Sequence, residues 1–92
     1  MWRSNSGKRD MEKSVFSREY DLLRKMLKEA RLRAKLTQIE LAQKLDETQS
    51  FVSKCERGER RLDLVQLRAF CKPLGITLSS FVAEFDRRLG RR

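Results

Sequence analysis

The sequence predicts an all-α protein of five helices joined by short loops. Three observations support this fold class. Apolar residues recur at intervals of three and four across residues 16–89, which is the period of an amphipathic helix. A Thr or Asp precedes each of four such segments, where its side-chain oxygen can cap the start of a helix. The chain contains no alternating apolar pattern typical of a strand, and no internal repeat.

The first helix is predicted over residues 17–35. Its apolar stripe spans about five helical turns and consists of Phe16, Tyr20, Leu23, Leu27, Ala30 and Ala34. Its other face is basic and carries Arg24, Lys25, Lys28, Arg31 and Lys35. The preceding residues 1–16 have few aliphatic side chains and several Ser, Lys and Arg, so we expect a flexible basic N-terminal arm there.

Two short helices are predicted close together in the middle of the chain. Thr37 and Glu40 have the spacing of a capping box, which starts a helix at Gln38. Its inward positions are predicted to be Ile39, Leu41, Ala42 and Leu45. Residues 46–48 form a turn, and Thr48 caps the next helix, residues 49–57, which ends at Gly58. Isolated helices this short are marginal in water, so the rest of the fold must brace them.

Two further helices complete the predicted domain, which covers residues 17–89. Asp63 caps a fourth helix with apolar residues at Leu64, Leu67, Phe70, Cys71 and Leu74. Pro73 lies in its last turn, so we expect this helix to kink or end early. Thr77 caps a fifth helix with apolar residues at Leu78, Phe81, Val82, Phe85 and Leu89. Residues 90–92 form a basic C-terminal tail.

Composition favours a surface function with a polyanionic partner. The 92 residues carry 22 Lys and Arg against 13 Asp and Glu, a net charge of +9, which suits nucleic acid or an anionic membrane surface. A chain of this size is too small for a deep active site. It has two Cys and no His, so a four-ligand zinc site and histidine-based acid–base catalysis are excluded. We therefore expect no enzyme activity, no metal and no cofactor, and both thiols are interpreted as buried.

The helix predicted over residues 49–57 has an outer face suited to reading base edges. On a helical wheel, Thr48, Val52 and Cys55 face the core, with Phe51 at the edge. The outward positions are Ser50, Ser53, Lys54 and Arg57, with Gln49 on the boundary. Amide, hydroxyl and long cationic side chains are the groups that pair with bases in the major groove. Residues 37–62 carry five basic and five acidic side chains, whereas residues 1–36 carry 11 and five, so a neutral segment is flanked by a basic one.

The segment LTQIELAQKLDETQSFVSKCERGER resembles the helix-turn-helix of the Cro/repressor-type family, also called the XRE family. The matching pairs are Thr37-Gln38, Leu41-Ala42, Gln49-Ser50 and the triplet Glu56-Arg57-Gly58. The resemblance extends from about Tyr20 to Phe85 and implies a lambda-repressor-like DNA-binding domain. Its helix-turn-helix motif covers residues 37–58, and helix 49–57 would enter the major groove.

The resemblance also implies roles for individual residues. The base-reading residues would be Gln49, Ser50, Ser53 and Lys54. The phosphate-binding residues would be Gln38, Arg57, Arg60 and Arg61. Arg31 would form a structural ion pair with Glu56, which the helical wheel also puts near the edge of the core. Two positions depart from the family pattern: Asp46 replaces a Gly that often adopts the left-handed conformation, and Glu47 replaces a residue that is often apolar.

The sequence thus predicts a sequence-specific, double-stranded DNA-binding regulator of transcription, by expectation a repressor. The family implies a bacterial or phage-type cytoplasmic protein that binds a near-palindromic operator as a homodimer. We expect the dimer contacts at Phe81, Phe85 and Leu89, although ordinary packing of the fifth helix is an equal alternative. An antitoxin-type module, whose arm binds a partner protein, is the second hypothesis. Nonspecific RNA or nucleoid binding is the third, although the sequence predicts no exposed aromatic platform for single strands.

Overall fold

A computed structural model describes the backbone of residues 9–90 and the side chains of residues 18–90. Within this range the chain forms five helices and no strand, so the predicted all-α fold class is confirmed. The helices are α1 (Arg9–Arg33), α2 (Gln38–Leu45), α3 (Gln49–Arg57), α4 (Leu64–Leu74) and α5 (Leu78–Leu89).

The first helix begins earlier than the sequence predicted. Its first residue is Arg9, so residues 9–16 of the expected arm are part of α1. This segment contains neither Gly nor Pro, and nothing in its composition interrupts a helix. Residues 1–8 of the expected arm and residues 91–92 of the expected tail lie outside the described residues.

Side-chain caps define where four of the helices begin, as the sequence predicted. The Thr37 hydroxyl accepts a hydrogen bond from the Glu40 amide at 3.0 Å, and the Glu40 carboxylate accepts one from the Thr37 amide at 2.8 Å. Asp63 and Gln66 form a second reciprocal capping box at the start of α4. Thr48 and Thr77 cap α3 and α5 with single bonds of 3.1 Å. Each cap satisfies amides that have no partner inside the helix.

A single apolar core lies between the five helices and braces the two short ones. Its buried members are Met26, Leu27, Ala30, Leu41, Ala42, Val52, Cys55, Leu67, Phe70, Cys71, Leu74 and Phe81. α2 packs mainly against α3 and α4, while α1 packs against α3 and α5. The helix-turn-helix motif therefore rests on a scaffold made of the other three helices.

The prediction that Ile39 faces inward is wrong. This side chain is 58% exposed, whereas Leu41 and Ala42 are buried. At 100° per residue, Ile39 lies more than a quarter turn from the mean direction of the buried positions of α2. Its apolar character alone suggested a core position that the helix geometry does not provide.

Pro73 was predicted to kink the fourth helix or end it early, and the early end is wrong. α4 continues to Leu74 and closes at Gly75, which has φ 74° and donates its amide to the carbonyls of Cys71 and Lys72. A proline in the last turn removes only one internal hydrogen bond, and Gly75 then ends the helix in the left-handed conformation. The proline is therefore accommodated in the final turn.

Candidate nucleic-acid interface

The turn between α2 and α3 keeps its shape without the usual glycine. Asp46 adopts the left-handed conformation, with φ 60° and ψ 42°. Its amide donates to the Ala42 and Gln43 carbonyls, and the Glu47 amide donates to the Ala42 carbonyl at 2.9 Å. Asp is one of the few residues with a side chain that visits this region at modest cost. The turn therefore still leads directly from α2 into α3, and Glu47 is exposed on it.

The outer face of α3 is polar and open to solvent, while its inner face is anchored in the core. Val52 and Cys55 are completely buried, and Thr48 is an exposed cap rather than a core residue. Of the four residues predicted to read bases, Gln49, Ser50 and Lys54 are exposed and Ser53 is half-buried. These four side chains therefore occupy one accessible face of a rigidly seated helix.

A buried ion pair joins α1 to α3. Arg31 Nε lies 2.6 Å from Glu56 Oε2, and Arg31 Nη2 lies 3.0 Å from Glu56 Oε1. Arg31 is 6% exposed and Glu56 is 5% exposed. The remaining Arg31 Nη1 donates to the Leu36 carbonyl at 2.9 Å, so the guanidinium also holds the segment that leads into α2. A buried pair of this kind is stable only when its other donors and acceptors are satisfied.

The same carboxylate extends the network to the surface through two glutamines. Gln38 Nε2 donates to Glu56 Oε1 at 3.0 Å, and Gln49 Nε2 donates to Gln38 Oε1 at 2.7 Å. One chain of hydrogen bonds therefore runs from the buried pair to the first residue of α3. Among the side chains that the structure describes, no buried nitrogen or oxygen lacks a hydrogen-bond partner. The two amides are thus held in defined orientations at the outer surface.

Arg24 has a structural role that the sequence analysis missed. It was assigned to the solvated basic face of the first helix, but its guanidinium donates to Asp21 Oδ1 at 2.9 Å and to the Glu56 carbonyl at 3.3 Å. Arg24 lies seven residues before Arg31, so the two side chains share one face of α1. That spacing was the only available signal in the sequence. Arg24 and Arg31 together hold the end of α3 against α1.

The loop after α3 is folded tightly against the helix that precedes it. Gly58 has φ 79°, and a Cβ atom there would lie 2.9 Å from Arg24 Cδ. The Lys54 carbonyl accepts hydrogen bonds from the amides of Glu59 and Arg60, at 2.9 and 3.2 Å. The chain therefore reverses immediately after α3 and keeps the following residues beside it.

Three predicted phosphate-binding arginines lie at the end of α3 and in this loop, each with a partner. Arg57 forms an ion pair with Glu59. The Arg60 guanidinium carbon lies 5.0 Å from the centre of the Phe51 ring, and that of Arg61 lies 4.5 Å from the centre of the Tyr20 ring. Stacking of this kind attracts the cation to the ring face and restrains its side chain while leaving the charge accessible.

Tyr20 also fixes the path of the loop itself. Its hydroxyl accepts a hydrogen bond from the Leu62 amide at 3.1 Å and lies 3.4 Å from the Arg60 carbonyl, to which it donates. The sequence analysis placed Tyr20 only in the apolar stripe of the first helix. Its contact spans 40 residues of sequence, so periodicity could not indicate it.

The two cysteines are buried and form no disulfide. Both are free thiols in the core, as the sequence analysis expected. Burial raises the pKa of the Cys55 thiol to about 11, because the low-polarity surroundings disfavour the thiolate. Burial also raises the pKa of Cys71. Their role in this structure is to fill core volume beneath the interface.

The three residues expected at a dimer contact differ in their accessibility. Phe81 is only 4% exposed and packs in the core, so its ring is not available to a second copy without unfolding α5. Phe85 is half-buried and Leu89 is 36% exposed. Phe81 must therefore be removed from the expected contact, because α5 uses it to pack on the domain.

In the part of the chain that the structure describes, no helix is long and apolar enough to cross a membrane. Among the same residues, no group of three or more Cys, Asp or Glu side chains is arranged to hold a metal ion.

Comparisons with known proteins agree with the fold and the motif. A helix-turn-helix family model matches residues 27–81. Among solved structures, an XRE-family like protein from Pseudomonas syringae pv. tomato str. DC3000 is 36% identical, with a TM-score of 0.81. The match covers 88% of this chain and 99% of that one. A search of curated proteins found no match.

The chain belongs to the XRE family of helix-turn-helix proteins. The resemblance drawn from residues 37–58 is therefore confirmed, as is the five-helix lambda-repressor-like fold. Membership supports a DNA-binding regulator of transcription.

Proposed function

We propose that this protein represses transcription by binding a specific, near-palindromic double-stranded operator as a homodimer. In this proposal α3 lies in the major groove and reads bases with Gln49, Ser50, Ser53 and Lys54. The residues that grip the flanking phosphates are Gln38, Arg57, Arg60 and Arg61. Bound over a promoter, such a dimer would exclude the transcription machinery from the same DNA.

The observation that carries this proposal is the hydrogen-bonded link between Gln38 and Gln49. Because Gln49 Nε2 donates to Gln38 Oε1 at 2.7 Å, the Gln49 amide is already oriented before DNA arrives. Among the described residues, the Gln49 side chain has no other hydrogen-bond partner, so its oxygen and its second N–H are open to solvent at the start of α3. That donor–acceptor pair matches N6 and N7 of adenine in the major groove. Pre-orientation lowers the entropy cost of forming this contact.

The position of Gln38 supports a contact with the DNA backbone. It is the first residue of α2, where unpaired amides and the helix dipole favour a phosphate group. The side-chain amide of Gln38 donates a hydrogen bond to Glu56 and accepts one from Gln49. A phosphate bound there would therefore set the depth of α3 in the groove through a direct connection to the base-reading residue.

The loop after α3 supports a second backbone contact. Arg60 and Arg61 are exposed, and each stacks on an aromatic ring of the domain. Phosphate contacts of this kind contribute affinity and register but carry no base preference. The proposed reading residues carry amide and hydroxyl groups and a single cation, Lys54, whereas the proposed phosphate contacts in the loop are arginines, which separates these two tasks.

The proposed dimer uses the part of α5 that the core leaves open. Leu78, Val82, Phe85 and Leu89 follow one another at intervals of four, three and four residues, the spacing of an apolar seam. Val82 is 41% exposed and Leu89 is 36% exposed, while Phe81 points to the core. The dimer contact is therefore proposed at Phe85 and Leu89, with Val82 added to the residues expected from the sequence.

Selection from a random pool of duplexes at near-physiological salt tests this function. We expect enrichment of an inverted repeat whose half-sites lie about one helical turn apart. Tight, salt-sensitive binding without any enriched sequence would contradict the proposal. The antitoxin-type alternative depends on residues 1–16 and stays a prediction, which co-purification of a partner protein with the full chain would support.

A further inference from the structure

We propose that Glu59 competes with DNA phosphate for Arg57 and thereby lowers the affinity of the interface for every duplex. This inference rests on the proposed function, because it assigns a second state to one of the proposed phosphate-binding residues. In the free protein the carboxylate of Glu59 occupies the guanidinium. On DNA a phosphate takes its place.

The Arg57–Glu59 pair has bidentate geometry. Arg57 Nε lies 3.0 Å from Glu59 Oε2, and Arg57 Nη2 lies 3.0 Å from Glu59 Oε1. Two parallel hydrogen bonds between a guanidinium and two oxygens are also the way in which arginine binds phosphate. The carboxylate therefore occupies one of the guanidinium edges through which a phosphate could bind.

The third nitrogen of the Arg57 guanidinium also forms a hydrogen bond on the same surface. Arg57 Nη1 donates to the hydroxyl of Ser53, one of the proposed base-reading residues. Ser53, Arg57 and Glu59 thus form one connected group on the outer face of α3 and its loop. Moving Arg57 to a phosphate would break both contacts and release the Ser53 hydroxyl toward the groove.

The fold holds Glu59 in its competing position. The left-handed Gly58 separates it from Arg57 by a single residue, and the Glu59 amide donates to the Lys54 carbonyl at 2.9 Å. Arg24 lies beside Gly58, where an added Cβ atom would approach Arg24 Cδ to 2.9 Å. The backbone of Glu59 is therefore held in place, whereas its side chain can rotate away from Arg57.

The pair is exposed, which makes the exchange possible. The side chains of Arg57 and Glu59 are 53% and 56% exposed, so a phosphate can reach the guanidinium directly. The neighbouring guanidinium lowers the pKa of Glu59, mainly through the hydrogen bonds between them, and so keeps the competing carboxylate ionised. An exposed ion pair adds little to the stability of a fold. Removing it should therefore change DNA binding without unfolding the domain.

The test measures DNA binding by Glu59→Gln, Arg57→Gln and the double variant, in the full chain. Each protein is titrated against the selected operator duplex and against a shuffled duplex of equal length. The matched control is Glu47→Gln, which neutralises an exposed carboxylate of the same interface that forms no ion pair among the described side chains. Circular dichroism and thermal unfolding establish that all variants are folded.

We expect Glu59→Gln to tighten binding to both duplexes about two- to five-fold more than Glu47→Gln does, the range typical of one exposed ion pair. In the Arg57→Gln background, the Gln substitution at 59 should have only the effect of the control. Equal tightening by Glu59→Gln and Glu47→Gln would overturn the inference. So would undiminished tightening by Glu59→Gln in the Arg57→Gln background. Either result indicates general charge repulsion. Weaker binding by Glu59→Gln would overturn it as well. If the unaltered protein binds neither duplex, the proposed function fails first and this inference with it.

Discussion

Arg31 and Glu56 meet through two hydrogen bonds of 2.6 and 3.0 Å in a site that is almost closed to solvent. The pair joins α1 to α3, and the carboxylate also orients Gln38. The orientation of the surface residues Gln38 and Gln49 therefore depends on the buried pair. A defect at the pair should affect stability, while a defect at the surface end should affect recognition alone.

Neutralising Glu56 should destabilise the domain strongly. Glu56→Gln keeps the size of the side chain but leaves Arg31 buried without a counter-charge, which costs about 3–5 kcal/mol in the free energy of unfolding. Urea denaturation followed by circular dichroism measures this change. The double variant with Arg31→Met removes the orphaned charge and should recover most of the loss.

Glu84→Gln is the control for that experiment. Glu84 pairs with Arg87 and Arg88 on the exposed side of α5, so its neutralisation should shift the urea midpoint far less. If Glu56→Gln shifts the midpoint no more than Glu84→Gln does, the buried pair does not have the role assigned to it.

Gly58→Ala should destabilise the protein more than Gly75→Ala. Both glycines have positive φ, 79° and 74°, so both substitutions carry the left-handed penalty of about 1–2 kcal/mol. Only at Gly58 does the added methyl group also meet Arg24, at 2.9 Å, whereas nothing lies within 4 Å at Gly75. The free energies of unfolding of both variants measure the difference.

Shortening Arg24 provides the decisive comparison for the glycine pair. In an Arg24→Ala background, the extra cost at Gly58 should disappear, because the clashing atoms are gone. Equal costs at the two glycines in the unaltered background would show that the Arg24 side chain moves aside at little cost.

Several of these features follow from local sequence, and others depend on the angle between helices. Thr37, Thr48, Asp63 and Thr77 all cap helices where the sequence predicted them, because capping involves residues only two or three positions apart. The prediction of an inward position for Ile39 is wrong because it rests on apolar character, whereas the position of this residue on the helical wheel points away from the core.

The contacts at the interface could not be derived in the same way. The link from Gln49 to Gln38 exists only because α2 and α3 meet at one particular angle, and Arg24 meets Gly58 only after α1 has packed on α3. The stacking of Arg61 on Tyr20 likewise joins residues 41 positions apart. The family resemblance supplied the Arg31–Glu56 pairing and the residue roles that periodicity alone did not.

Cys55 should resist thiol reagents in the folded protein. The side chain is fully buried, and its raised pKa of about 11 leaves almost no thiolate near neutral pH. At pH 7.5, labelling by an aromatic disulfide reagent should proceed only as fast as the domain opens. The exposed control Ser50→Cys should add one thiol that reacts at once. Rapid labelling of Cys55 in folded protein would mean that the core beneath α3 opens readily.

Arg60→Ala and Arg61→Ala should each weaken binding to all duplexes alike. Each removes one proposed phosphate contact per protomer, so the slope of log K against log salt concentration should become shallower by about 0.9 for each contact, or about 1.8 for the proposed dimer. Fluorescence anisotropy at several salt concentrations measures both effects. Arg87→Ala removes the same charge from α5, and an equal loss with that variant would contradict a specific role for the loop.

The central claim is that Gln49, held by Gln38, reads a base. Its most direct test compares Gln49→Ala with the unaltered protein on the selected operator and all its single-base-pair variants. We predict that Gln49→Ala loses about 1–3 kcal/mol for each half-site of the operator and loses preference at one position of each half-site, with the other positions unchanged. An unchanged preference at every position would contradict it, because another residue would then occupy the reading position.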